Sequence, residues 1–147
     1  MSNEAVIAQL LDVSRPPAGT VSTSEIVRRI KEGLPVQALD RVAAAVAPDD
    51  REFRFGVVKK ATLSRRKAPR SGDARLSELE GAKVVRLARV WTLACAVWKS
   101  EDAARDFLYR PHALLEGQRP IDAVMGSEFG GPQVEAILGR LQYGSAA

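Results

Sequence analysis

Cysteine and histidine are almost missing from this chain of 147 residues, which has only Cys95 and His112. A lone thiol forms neither an internal disulfide nor a paired-cysteine metal knuckle, and a lone imidazole leaves nothing for a His-based zinc or catalytic cluster. The phosphate-cradling patterns GxGxxG and GxxxxGK[ST] are absent as well. The acids that stand in pairs, Asp49-Asp50 and Glu101-Asp102, lie where helix N-termini favour negative charge, which accounts for them without acid-base chemistry. No catalytic residue, cofactor or metal site is expected, and the chain does not read as an enzyme. Long apolar runs are lacking too. The longest, Val90 to Trp98, has nine residues against the roughly 20 that a membrane-spanning helix needs. The opening Met-Ser-Asn-Glu has no basic signal region. A reducing, cytoplasmic setting is expected, with no membrane.

What the chain does have is an ordinary globular balance, 46% hydrophobic and 27% charged residues, enough for one domain or two small ones. The formal charge of +4 is unevenly placed. Up to Arg75 there are fourteen Lys or Arg against nine acids, hence +5; from Leu76 onward there are eight against nine, hence −1. Within the basic half, residues 59 to 75 carry Lys59, Lys60, Arg65, Arg66, Lys67, Arg70 and Arg75 against Asp73 alone. A solvated linker and a polyanion contact both fit that composition.

The spacing of apolar residues predicts helices throughout and no sheet, since no window alternates with a period of two. Residues 1 to 21 read as a flexible arm, with Val6, Ile7, Leu10, Leu11 and Val13 followed by the stop Pro16-Pro17-Ala18-Gly19. A helix capped by Ser24 then carries Ile26, Val27 and Ile30 and closes at Gly33. Pro35 opens a second helix, with Leu39, Val42, Ala43 and Val46 on one stripe. Phe53, Phe55, Val57, Val58 and Leu63 supply core side chains to a third segment. Short helices and tight turns over residues 22–70 suggest a helix-turn-helix bundle. Residues 71–75 read as a linker and 76–147 as a second unit. In that unit a long helix to Trp98 places Val84, Leu87, Ala88, Trp91, Cys95 and Trp98 on one face. Its second half is apolar all round, which predicts a partner chain: a homodimer through Val90, Trp91, Ala94, Val97 and Trp98. Ser100 caps the next helix, with Ala103, Ala104, Phe107 and Leu108 inward, and Pro111 ends it. Pro120 starts a short helix, and a last helix, from Gln133 to about Tyr143, buries Val134, Ile137, Leu138 and Leu141.

Several stretches of the second half, taken in order, carry a resemblance. Arg86-Leu87-Ala88-Arg89-Val90 is followed by Ala103-Ala104-Arg105-Asp106-Phe107-Leu108, then by Pro111, Leu114, Gly117, Pro120 and Ile121, and finally by Val134 through Gly144 with its Leu-Gly-Arg-Leu-Gln-Tyr-Gly end. This order resembles the Xre/MbcA/ParS toxin-binding domain of antitoxins from RES-Xre toxin-antitoxin modules. The first half is similar to the Xre-like helix-turn-helix of the same antitoxins, with Gly33-Leu34-Pro35 before a bundle helix and Thr62-Leu63-Ser64-Arg65-Arg66 on the recognition helix.

The resemblance implies an all-α protein with two partners, a RES-class toxin that depletes NAD and the double-stranded operator DNA of its own gene pair. The DNA contacts it points to are Lys59, Lys60, Thr62, Ser64, Arg65 and Arg66. Helical phase puts Lys59, Thr62 and Arg66 on a groove-facing stripe and leaves Lys60 and Arg65 for flanking phosphates. The toxin contacts are Arg140, Leu141, Gln142, Tyr143, Gly144, Ser145, Ala146 and Ala147; after Gly144 the chain is small and has no charged side chain, and this tail is expected to obstruct the toxin's active site, with Tyr143 as anchor. Two rivals stand beside this reading: a stand-alone dimeric DNA-binding repressor, and an RNA-binding adaptor, for which the chain has few aromatics near its basic run.

Overall fold

The computed structural model describes residues 3–11, 22–70, 72 and 74–144, and all regular structure among them is helical. Eight α-helices and two short 3-10 turns follow one another, with no strand among the described residues beyond an isolated antiparallel bridge between Pro35 and Arg75. No helix among the described residues is long and apolar enough to cross a membrane. The chain divides into two compact units, Met1–Ala88 and Arg89–Ala147.

The first unit opens with α1, Asn3–Leu10, where an arm was expected. Ile7, Ala8 and Leu11 are buried, with α1 lying against the two helices that follow; Ile7 and Leu11 are one helical turn apart and so reach the same core. The Pro16-Gly19 stop lies outside the described residues. Helix α2, Thr23–Glu32, is capped two residues earlier than expected, by Ser22, whose hydroxyl accepts from the Glu25 N–H at 3.1 Å. Gly33 ends α2 at φ 99°, a backbone that other residues adopt only with strain, and a Cβ there would lie 3.2 Å from that of Arg75. Helix α3, Val36–Val46, follows Pro35 and buries Val36, Ala38, Leu39, Val42, Ala43 and Val46. After it comes a 3-10 turn, Phe53–Gly56, and then α4, Lys60–Lys67, whose one buried residue is Leu63. Val58 is buried as expected, whereas Phe53, Phe55 and Val57 are half-buried.

The chain between α4 and the next helix is tied back to the first unit. The Val36 N–H donates to the Ala74 carbonyl at 3.0 Å, the Leu76 N–H to the Leu34 carbonyl at 2.7 Å, and the Arg75 guanidinium to the Gly33 carbonyl at 2.9 Å. The division between the units therefore falls beyond the expected linker at 71–75, inside α5, Glu78–Trp98. Ser77 and Glu80 start α5 with a reciprocal capping box: the Ser77 hydroxyl accepts from the Glu80 N–H at 3.2 Å, and the Glu80 carboxylate accepts from the Ser77 N–H at 2.7 Å.

The second unit contains the end of α5, α6 (Glu101–Tyr109), a 3-10 turn at Ala113–Leu115, α7 (Pro120–Gly126) and α8 (Gly130–Gln142). Ser100 caps α6 as expected, accepting from the Ala103 N–H at 3.0 Å. His112 caps the 3-10 turn, its Nδ1 accepting from the Leu114 N–H at 3.1 Å. Helix α8 begins three residues earlier than expected. Gly130 allows this: a Cβ at that position would lie 1.7 Å from the Ala123 carbonyl oxygen, so α8 starts in backbone contact with α7. Leu108, Val124, Val134 and Leu138 are buried in this unit.

Candidate functional site

Two surfaces hold the residues singled out by the sequence, one in each unit. In the first, α4 has a single apolar anchor, Leu63, and its neighbours along the helix follow from that. Lys60, Ala61, Ser64 and Arg65 are exposed and form the outward face, with Lys59 exposed at the N-terminus. Lys59 provides no side-chain cap for α4, so the amides of the first turn are left for solvent or a ligand.

Thr62 and Arg66, expected on the groove-facing stripe with Lys59, are half-buried instead. Arg66 stands one turn after Leu63, on the inward side, where its guanidinium donates to the carboxylate of Glu80 on α5. Burial raises the Glu80 carboxyl, but the donors Arg66 and Ser77 outweigh it and hold the group below its ordinary value. Lys67 at the end of α4 bonds to both carboxylate oxygens of Asp40 on α3, at 2.9 and 2.7 Å. Asp40 also takes Arg54, from the 3-10 turn, at 2.8 Å. Two carboxylates thus hold the last turn of α4, and one of them also holds the element before it.

Beside α4 lies an open hollow of about 420 Å³ lined by Arg51, Arg54, Phe55, Lys60, Leu63, Ser64 and Lys67. The Lys60 ammonium sits 5.8 Å from the centre of the Phe55 ring. Asp40, Glu80, Arg51 and Arg54 were not among the residues picked from the sequence. The Ser-x-x-Glu spacing of Ser77 and Glu80 was a readable signal, whereas Asp40 lies 27 residues from Lys67 and carried none.

In the second unit, the end of α8 is exposed. Arg140, Gln142 and Gly144 are open to solvent, Tyr143 is 82% exposed, and Leu141, expected in the core, is 49% exposed. Ser145, Ala146 and Ala147 lie outside the described residues. Leu141 forms one wall of a pocket of about 370 Å³ with Trp98, Ala103, Asp106, Phe107, Arg110, Pro111 and His112. Of the residues expected at a dimer interface, Val90, Trp91 and Ala94 are buried within the chain itself, Val97 is half-buried and Trp98 is 40% exposed. Cys95 is half-buried, and burial pushes its thiol up to about 11, the reverse of what a nucleophile needs.

Comparison with known families agrees with this division. Residues 25–89 match the antitoxin Xre-like helix-turn-helix domain. Residues 93–144 match the antitoxin Xre/MbcA/ParS C-terminal toxin-binding domain. The chain belongs to the Xre/MbcA/ParS antitoxin family. No curated protein matches it. As an Xre/MbcA/ParS antitoxin it carries a helix-turn-helix DNA-binding domain and binds a toxin through its C-terminal domain, and neither family is enzymatic. The first match ends one residue past Ala88, where the first compact unit ends. In this Xre/MbcA/ParS antitoxin the turn leading into α4 is built on a 3-10 element, and Asp40 fastens that element and α4 to the same helix.

Proposed function

We propose that this antitoxin neutralises a RES-class, NAD-depleting toxin and represses its own gene pair. The observation that carries the reading is the pairing, in one chain, of an Xre-like helix-turn-helix at 25–89 with a toxin-binding domain at 93–144. The charge split supports the same division of labour: the basic excess lies in the half that would meet phosphates, and the exposed face of α4 offers Lys60, Ser64 and Arg65, with Lys59 at its start. Exposed Arg140, Leu141, Gln142, Tyr143 and Gly144 lead into a tail without charged side chains, which can enter a cleft at little desolvation cost. Tyr143 serves as the aromatic anchor, and Arg140 pairs with acidic or phosphate-binding groups at the cleft mouth.

A dimer would place two α4 helices about 34 Å apart on a palindromic operator. Of the α5 residues expected at the interface, Val90, Trp91 and Ala94 are already covered within the chain, which leaves Val97 and Trp98 to meet a second copy. The test is the NAD content of cells expressing the adjacent open reading frame alone, with the full chain, or with a version ending at Gly139. Rescue by the full chain and failure of the shortened one is the expected result. If the neighbour leaves NAD untouched, or neither version helps, the stand-alone repressor becomes the better reading.

A further inference from the structure

The pocket walled by Trp98, Phe107, Pro111 and Leu141 has no assigned role. Its walls are largely apolar and lie open: Trp98 is 40% and Leu141 49% exposed. Apolar surface left in water at a concave site is the usual mark of a binding surface. The pocket is also held in shape by its own contacts. The centres of the Trp98 and Phe107 rings are 6.0 Å apart, and those of Phe107 and His112, in a T-shaped arrangement, 6.1 Å. The His112 ring is fixed in turn by the Leu114 N–H on its Nδ1, and its backbone N–H donates to the Gln118 carbonyl at 3.2 Å. An occupant would therefore not have to order the walls, which favours affinity.

We infer that this pocket receives one apolar side chain of the toxin, aromatic or branched, as an anchor separate from the C-terminal tail; the inference rests on the toxin-binding reading above. Two observations select the toxin as occupant. Every lining residue falls between 98 and 141, inside the span that matches the toxin-binding domain. Leu141, one of the walls, belongs to the same exposed turn of α8 as Arg140 and Tyr143, so the pocket is continuous with the surface proposed to face the toxin. Asp106 and Arg110, both exposed, put one charge of each sign on the lining. The anchoring side chain is thus expected to be flanked by charged neighbours that fix its orientation.

The test uses the full-length chain, its Ala103→Trp variant, which fills the pocket from α6, and the purified product of the adjacent open reading frame, titrated by calorimetry. Each antitoxin is also sedimented alone. The expected result is tight binding by the native chain and binding at least about 30-fold weaker by Ala103→Trp, the size typical of a lost hot spot, with helix content and sedimentation unchanged. Equal binding by a folded Ala103→Trp overturns the pocket and leaves the antitoxin reading standing. No binding by the native chain overturns both. A shift of Ala103→Trp alone from dimer to monomer assigns the pocket to a second copy and also overturns the proposal. Should Ala103→Trp fail to fold, Asp106→Arg at the exposed margin keeps the question open to refutation: about tenfold weaker binding is expected, and unchanged binding sinks the proposal.

Discussion

Arg66 on α4 is ion-paired to Glu80 on α5, and Glu80 is at the same time the carboxylate of the capping box that starts α5. The two side chains are only 14% and 19% exposed. One carboxylate therefore begins one helix and fastens another, and the helix it fastens carries the proposed DNA contacts.

Neutralising that carboxylate should weaken the first unit. Glu80→Gln is expected to lower stability by about 1–3 kcal/mol, the cost of breaking a largely buried, charge-assisted bond, measured by urea unfolding at pH 7. The effect is pH-dependent with a definite sign. The folded Glu80 carboxyl lies below its ordinary 4.5, so the folded state binds this proton less readily than the unfolded chain. Its contribution is complete above about pH 4.5 and is lost as pH falls through the folded value. The gap in stability between native and Glu80→Gln protein should accordingly close at acid pH.

Arg66 and Arg65, adjacent in sequence, should behave oppositely. Lys60→Ala and Arg65→Ala are expected to leave thermal stability nearly unchanged, while each lowers the salt dependence of operator binding by about one unit of slope. Arg66→Ala is expected to lower the melting temperature and to leave the slope nearly as it was. Fluorescence anisotropy on the DNA upstream of the gene pair, over a range of salt, separates the two patterns.

The contrast between Arg65 and Arg66 shows how much of the site could be read from the sequence. The basic run and the helix bearing it were legible, because charge clusters and a lone buried leucine leave marks in composition. The facing of that helix does not follow the expected stripe, although Leu63 held the information: Arg66, three positions on, lies on its inward side. The stripe of Leu39, Val42, Ala43 and Val46, the cap at Ser100 and the closure at Gly33 were legible for the same local reason. The contacts of residues 33–36 with 74–76 and the grip of Asp40 on Arg54 and Lys67 were not, since each joins positions far apart in the chain and depends on backbone donors or charges that every surface segment offers. Leu141 has the periodicity of a core residue and yet is 49% exposed; periodicity marks a face, and it does not say whether the chain itself covers that face.

Gly130 and Gly126 make a matched pair for testing the α7–α8 junction. Gly130→Ala is expected to cost about 3 kcal/mol, because the new Cβ meets backbone and cannot be relieved by a rotamer. At Gly126 no atom stands within 4 Å of the added carbon, so Gly126→Ala should be neutral or stabilise by up to about 1 kcal/mol. Thermal unfolding of the two variants is the measurement.

Cys95 should resist alkylation. With its thiol near 11 instead of the ordinary 9.0, the thiolate fraction at pH 8 falls by about two orders of magnitude. Iodoacetamide is expected to label the native protein about 100-fold more slowly than the same protein in urea.

The division of α5 at Ala88 and Arg89 bears on how such chains can exchange parts. A recombination that joined halves of two relatives within residues 71–75 would give the helix-turn-helix a foreign Glu80, a foreign Leu76 and foreign residues up to 88, all of which belong to the first compact unit. Arg66 would then depend on whatever acid the donor happened to supply. A crossover inside the helix at 88 and 89, keeping its phase, would hand over each unit whole. For grafting a new toxin specificity onto an existing operator specificity, the productive seam is therefore in the middle of the longest helix and not in the loop before it.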